Sequence, residues 1–217
     1  MRLDLYLTEK KLTETRTRAK NLIEMGNVTV NGQTVQKPAT NISEDDVVKI
    51  TEDYDASVAS VKLKKAFTDF NANAKDKICL DLGAANGGFT DVLLNNGAQK
   101  VYALDIGECA LPDRLKNDER VVVVDRTNAR YIEKTNFADE INLITGDLSF
   151  ISLKYILLPA YNVLSDGGEA IFLIKPQFEL DSKRIPKSGI IRDEKVRNKI
   201  VSEIRLFAEN IGYKVKG

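Results

Sequence analysis

The stretch Ile78-Cys79-Leu80-Asp81-Leu82-Gly83-Ala84-Ala85-Asn86-Gly87-Gly88-Phe89-Thr90 decides the reading of this chain. An apolar run of strand length passes through a glycine-rich turn into a helical pattern over Thr90–Asn96. Such a turn lets backbone approach a ligand closely and aims the first N–H groups of the helix at it. The Gly-Lys-Ser/Thr of a phosphate loop is missing, and the spacing G-x-x-x-G-G departs from the G-x-G-x-x-G of dinucleotide sites. The plain alternative is a turn that only packs a helix on a strand.

Downstream, apolar strand candidates recur at Lys100–Asp105, Val121–Asp125, Ile141–Asp147 and Gly168–Lys175, with helical stretches between them, Ser152–Leu164 included. That alternation predicts an α/β fold with a parallel sheet covered on both faces. Asp105, Asp125 and Asp147 each close a strand, which places three carboxylates along the carboxyl edge of the sheet. Asp105 stands some twenty residues past the glycine turn, where a carboxylate accepts both ribose hydroxyls of an adenosine ligand. Asp125 falls near the adenine of such a ligand. The other reading of each Asp is a helix N-cap. From Asp193 to Ile211, Val196, Ile200, Ile204, Phe207 and Ile211 repeat at helical spacing, and Gly212 follows as a cap.

Upstream, residues 1–50 read as a separate α+β unit, and 51–60, without apolar period, as a linker to a domain over 61–217. Leu12-Thr13 leads into a helix with Ala19, Leu22 and Ile23 on one face, ending at Gly26. Alternating apolar residues around Asn31-Gly32 predict a hairpin. Asp46–Ile50 supplies a last strand. Up to Lys37 there are seven basic residues against four acidic ones. Arg16, Arg18 and Lys20 are expected on one side of this unit, beside the hairpin.

Composition narrows the classes. With 32 basic and 32 acidic side chains, net charge does not steer the chain toward nucleic acid, so any RNA surface must come from local segregation. The chain has no histidine, which excludes a His-based triad, and its two distant cysteines argue against both a zinc site and a disulfide framework. No signal-peptide pattern and no apolar run near the roughly 20 residues of a membrane span is present, so the chain reads as soluble and cytoplasmic, without membrane or metal. Its oligomeric state is open.

Two resemblances add to this reading. "RLDLYL…TRTRAKNLIEMGNVTVNGQTVQKP" resembles the S4-type RNA-binding domain, whose basic helix and hairpin contact phosphates; this implies RNA contacts from Arg2, Arg16, Arg18, Lys20 and Asn31. "LDLGAANGGFTDVLLNNGAQKVYALDIG", "RTNARY", "DLSFISL" and "LIKPQFE" resemble the TlyA family, which joins an S4-type domain to an FtsJ-like methyltransferase domain. The resemblance implies a Rossmann-like sheet that binds S-adenosylmethionine (SAM) through Asp81, Gly83, Ala84, Asn86, Gly87, Gly88, Phe89, Asp105, Asp125 and Asp147. It also implies 2′-O-methylation of cytidine ribose in ribosomal RNA, with rRNA or ribosomal subunits as partners.

FtsJ-like enzymes use a Lys-Asp-Lys-Glu tetrad, and Lys62, Asp147 and Lys175 match its first three members. A ribose hydroxyl must lose its proton as it attacks the methyl, and a lysine in a partly desolvated cleft can accept that proton or orient the hydroxyl. The tetrad Glu is expected beyond Gly217, in an antiparallel hairpin that would make these 217 residues part of a longer chain. Departures from the family pattern are Ser57-Val58-Ala59-Ser60 for Ser-Arg-Gly-Gly, Ala85-Asn86 for Ser-Thr, and Ala110 and Asp113 for Gln and Trp. Two other readings stay open. One is an RNA-binding protein that keeps SAM affinity without catalysis. The other is a membrane-active protein, after the haemolysin label of some family members.

Overall fold

The computed structural model describes residues 1–217 except 14, 25, 44, 51–57 and 181–189. The chain divides into two compact units, Met1–Lys64 and Lys65–Gly217.

In the first unit, helices α1 (Leu3–Glu9) and α2 (Arg16–Glu24) pack on a three-stranded antiparallel sheet of β1 (Val28–Val30), β2 (Gln33–Thr34) and β3 (Val48–Ile50), in the order β2-β1-β3. Leu3, Leu7, Ala19, Leu22, Ile23 and Val28 are fully buried together. Asn31 and Gly32 carry the two positive φ values, 52° and 81°, of a two-residue hairpin turn, and Gly26 leaves α2 at φ 79°. Helix α1 was not expected from sequence. It is seven residues long, and its apolar face is only Leu3 and Leu7.

Helix α3 (Val58–Asp69) follows the undescribed stretch 51–57 and contains three residues expected in the linker, 58–60. The second unit holds a parallel sheet of β4 (Ile78–Leu82), β5 (Lys100–Leu104), β6 (Val121–Val124), β7 (Ile141–Gly146) and β8 (Leu164–Phe172), in the order β6-β5-β4-β7-β8. All five lie where apolar runs predicted them, although β8 opens at Leu164 rather than Gly168. Helices α4 (Gly88–Asn95), α5 (Asp113–Lys116), α6 (Leu157–Val163), α7 (Pro176–Glu179) and α8 (Glu194–Ile211) join or follow the strands.

Leu80, Leu82, Leu104, Ile141, Ile144 and Ile156 form the centre of the core. On the α6 side, Ile200, Ile204 and Ala208 of α8 close over Leu153 and Leu157. The caps of α8 are local: Asp193 accepts from the N–H groups of Lys195 and Val196, and Gly212 ends the helix at φ 125°. Because β4 is central, with β5 on one side and β7 on the other, the strand order reverses there. A crevice at the carboxyl ends of the strands is the ligand site of such sheets.

Candidate active site

The glycine turn is held by the next strand. Gly83 (φ 82°) and Ala84 both donate their N–H to the Leu104 carbonyl, at 2.9 and 3.0 Å. Gly87, at φ 84°, precedes α4, and a β-carbon there would come within 2.6 Å of Leu115 and 2.8 Å of Leu111. The left-handed backbone favours glycine there, and any side chain would also have to displace the Leu115 and Leu111 methyls. Ala85 also takes a positive φ, 47°, and Ala85 and Asn86 are exposed at the tip. Asp105 binds this tip directly: its two carboxylate oxygens accept from Ala85 N (3.1 Å) and Gly107 N (3.0 Å). Asp125 accepts from Cys109 N at 2.6 Å, and that bond holds its carboxyl below the usual range. The aspartates expected to meet ribose and adenine thus also brace the loops around them.

Asp81 and Phe89 lie in the interior instead. Asp81 is fully buried, with Thr90 Oγ1 donating to it at 2.7 Å and Thr145 Oγ1 at 3.3 Å. Burial pushes its carboxyl up to about 7, against the pull of the two hydroxyls. Phe89 is 3% exposed. Both are buried beneath the turn.

Across the crevice, the loop after β7 meets the segment after β8. Lys175 Nζ sits 2.6 Å from Asp147 Oδ1, 3.3 Å from the Asp147 carbonyl and 2.8 Å from Ser149 Oγ. Both partners of the ion pair are largely covered, with side chains 20% and 15% exposed. Next to them Phe150 is 91% exposed, at φ 63°, with its ring 5.1 Å from that of Phe178. The ammonium of Lys175 lies 6.0 Å from the centre of the Phe178 ring. Ser149, Phe150 and Phe178 were not singled out from sequence; a bare aromatic inside "DLSFISL" was the available signal for Phe150. Lys62, the third expected catalytic residue, is exposed on α3 in the stretch counted with the first unit.

In the first unit, Asp4 is fully buried and gathers two expected RNA-binding residues. Arg2 donates through Nε and Nη2 at 2.9 and 3.0 Å, and Arg16 through Nε at 3.0 Å. The bond from Arg2 foremost holds the Asp4 carboxyl down at about 2. Asn31 has partners within the chain, and one expectation, a shared side for the three basic residues of α2, is corrected. The Asn31 amide is used within the protein: its Nδ2 donates to Asp46 and its Oδ1 accepts from Val47 N, tying the hairpin tip to the approach to β3. Arg16 and Lys20 are one turn apart on α2 and share a face, but Arg18 is only two positions from each. At 100° per residue it projects from a different side.

Residues 56–216 match the model of the FtsJ-like methyltransferases, and residues 1–48 that of the S4 domain. The chain therefore belongs to the FtsJ-like methyltransferase family, carrying an S4 domain ahead of the catalytic fold. Within it the chain is a member of the TlyA family. It is 42% identical to Hemolysin A of Brachyspira hyodysenteriae over 99% of this chain and 90% of that protein. It is 35% identical to the 16S/23S rRNA (cytidine-2′-O)-methyltransferase TlyA of Mycobacterium tuberculosis, over 98% of this chain and 80% of the relative. A solved structure from Streptococcus thermophilus that carries a hemolysin designation superposes with a TM-score of 0.73 at 37% identity, covering 100% of this chain and 80% of that one. Among the described residues no helix is long and apolar enough to cross a membrane.

Proposed function

We propose that the chain transfers a methyl group from SAM to the 2′-hydroxyl of a cytidine ribose in ribosomal RNA. Residues 1–50 act as the RNA-binding domain, and the chain from α3 onward as the methyltransferase domain. The observation that carries this reading is the covered Lys175–Asp147 ion pair, set beside a left-handed glycine turn at the point where the strand order reverses.

The residues present fit the cofactor. The turn offers close backbone approach at Gly83 and Gly87, exposed Asn86 and the first N–H groups of α4, and Asp105 stands at the tip for the ribose hydroxyls. When bound, SAM supplies an electrophilic methyl on a sulfonium. The carboxylate of Asp147 holds the Lys175 ammonium in one place and favours a positive charge nearby. Lys175 holds the attacking 2′-oxygen by hydrogen bonding, and the hydroxyl proton leaves to solvent as that oxygen takes the methyl; the family resemblance assigns Lys62 a second cationic role. Phe150 offers its open face to the target base, since base-on-aromatic stacking is how extruded nucleotides are commonly held. Most of the rate enhancement then comes from in-line positioning of hydroxyl and methyl.

The test is direct. Purified chain, labelled SAM and ribosomal subunits should give a methyl group that mass spectrometry of the digested RNA locates on a cytidine ribose. Lys175→Ala should abolish the transfer and leave SAM affinity intact. SAM binding with no transfer to any ribosomal RNA would favour the reading as a non-catalytic RNA-binding protein.

A further inference from the structure

The loop after β7 and the segment Lys175–Glu179 are joined by a ladder of contacts. Lys175 reaches Asp147 and Ser149, and Phe178 meets Phe150. At the far end the Glu179 carboxylate accepts from Ser152 Oγ at 2.5 Å and from Leu153 N at 2.8 Å. The first contacts belong to groups already placed at the site; Glu179 has no part in it so far. Its two bonds fall where the loop turns into the 3-10 turn Leu153–Tyr155. There the N–H of Leu153 would otherwise lack a partner, and Ser152 Oγ also accepts from Lys154 N at 3.2 Å. Between the two ends of the ladder stands Phe150, non-glycine, left-handed and 91% exposed. Such a residue has little packing of its own, and its backbone stays in a sparsely populated region only when its surroundings impose it.

We infer that Glu179 is a positioning residue: it anchors the loop 147–153 to the segment that carries Lys175, and so keeps the Phe150 ring and the Lys175 ammonium in fixed relation. The inference rests on the reading of Lys175 and Asp147 as the catalytic pair. Glu179 is four residues from Lys175, and Ser152 is five from Asp147, so one carboxylate closes the ladder opposite the ion pair. With the anchor lost, the loop keeps the ion pair at one end and is released at the other. Cofactor contacts on β4 and β5 are untouched, so the defect falls on turnover and not on SAM affinity.

The chain contains no tryptophan, so Phe150→Trp places a single tryptophan at the loop, which excitation beyond the tyrosine band reads alone. In that background, Glu179→Ala should lower the fluorescence anisotropy and increase acrylamide quenching, and Glu179→Gln, which keeps the volume and one acceptor oxygen, should fall between. In the otherwise unaltered chain, Glu179→Ala should lower kcat on ribosomal RNA by about tenfold to a hundredfold, the scale of an ångström-sized misplacement, with KM for SAM unchanged. Glu179→Gln should restore most of it. Unchanged anisotropy and quenching in both variants overturns the anchor. So does a loss of activity that follows the unfolded fraction alone. If Lys175→Ala methylates at the parent rate, the catalytic reading fails instead, and the fluorescence arm still decides whether Glu179 anchors the loop.

Discussion

Gly83 and Asp147 lie against each other: a β-carbon on Gly83 would stand 3.3 Å from the Asp147 carbonyl oxygen. The glycine turn after β4 and the loop after β7 therefore share a backbone contact, at a residue whose φ of 82° already favours glycine. Gly83→Ala should cost about 1–2 kcal/mol from the left-handed backbone alone. Because relief of the contact moves Asp147, it should also lower turnover beyond the loss of SAM affinity. Urea unfolding, calorimetry with SAM and methylation rates measure the three quantities. A variant with parent stability and parent kcat would show that the contact is slack.

Asp105 joins the tip of the glycine turn to the loop at Gly107 and is assigned the cofactor ribose. Asp105→Ala should weaken SAM binding by about 1.5–3 kcal/mol, the scale of hydrogen bonds to a charged group. Asp105→Asn, which keeps one acceptor oxygen, should lose less. Calorimetry with the folded variants decides it, and equal affinity for parent and Asp105→Ala removes the carboxylate from the ribose.

The buried Asp4 separates two effects of the basic helix. Lys20→Ala should leave stability unchanged and flatten the salt dependence of RNA binding, by roughly 0.7–0.9 in the log–log slope if it removes one phosphate contact. Arg16→Ala should flatten the slope as well. It should also lower the thermal stability of the chain, because Asp4, fully buried, would lose one of its two cations. SAM affinity should hold in both. Filter binding across a salt series reads the slopes, and a parent slope in both variants would take α2 off the RNA.

Asp81 gives the fold a pH signature. Its carboxyl is pushed from an ordinary 3.8 up to about 7, so the folded chain binds this proton more tightly than the unfolded chain. The stabilisation is complete below pH 3.8, erodes as the pH rises, and is gone above about 7, where a bare carboxylate must be buried. Asp81→Asn, isosteric and neutral, should therefore change the pH dependence of stability specifically between about pH 4 and 7. Its stability relative to the parent should rise across that window. Denaturant midpoints at matched pH values test this, and a constant difference between variant and parent across the window would show that Asp81 stays ionised when buried.

Much of this architecture was determined by local sequence. The runs of β4, β5 and β7 became the inner strands because a strand buried on both faces needs continuous apolar side chains whatever its neighbours are, while β6 and β8 at the sheet edges stay partly exposed. Asn31-Gly32, Gly26, Gly83, Gly87 and Gly212 mark turns because positive φ is a property of the residue itself. The helix from Glu194 follows from its period and from Asp193 at its cap. Tertiary structure alone decided how charges and rings are shared. Asp4 collects Arg2 and Arg16, Asp81 turns inward to Thr90 and Thr145, and Asn31 spends its amide on Asp46 and Val47. Glu179 reaches back to Ser152 and Leu153, and Lys175 to Ser149. These partners are up to 64 residues apart in sequence, and a carboxylate or an amide satisfies whichever donor the fold delivers. Helix α1 belongs with them: two leucines make too weak a local signal, and burial in the first unit's core, the Asp4–Arg16 ion pair and backbone bonds to Pro38 and Thr40 hold it in place.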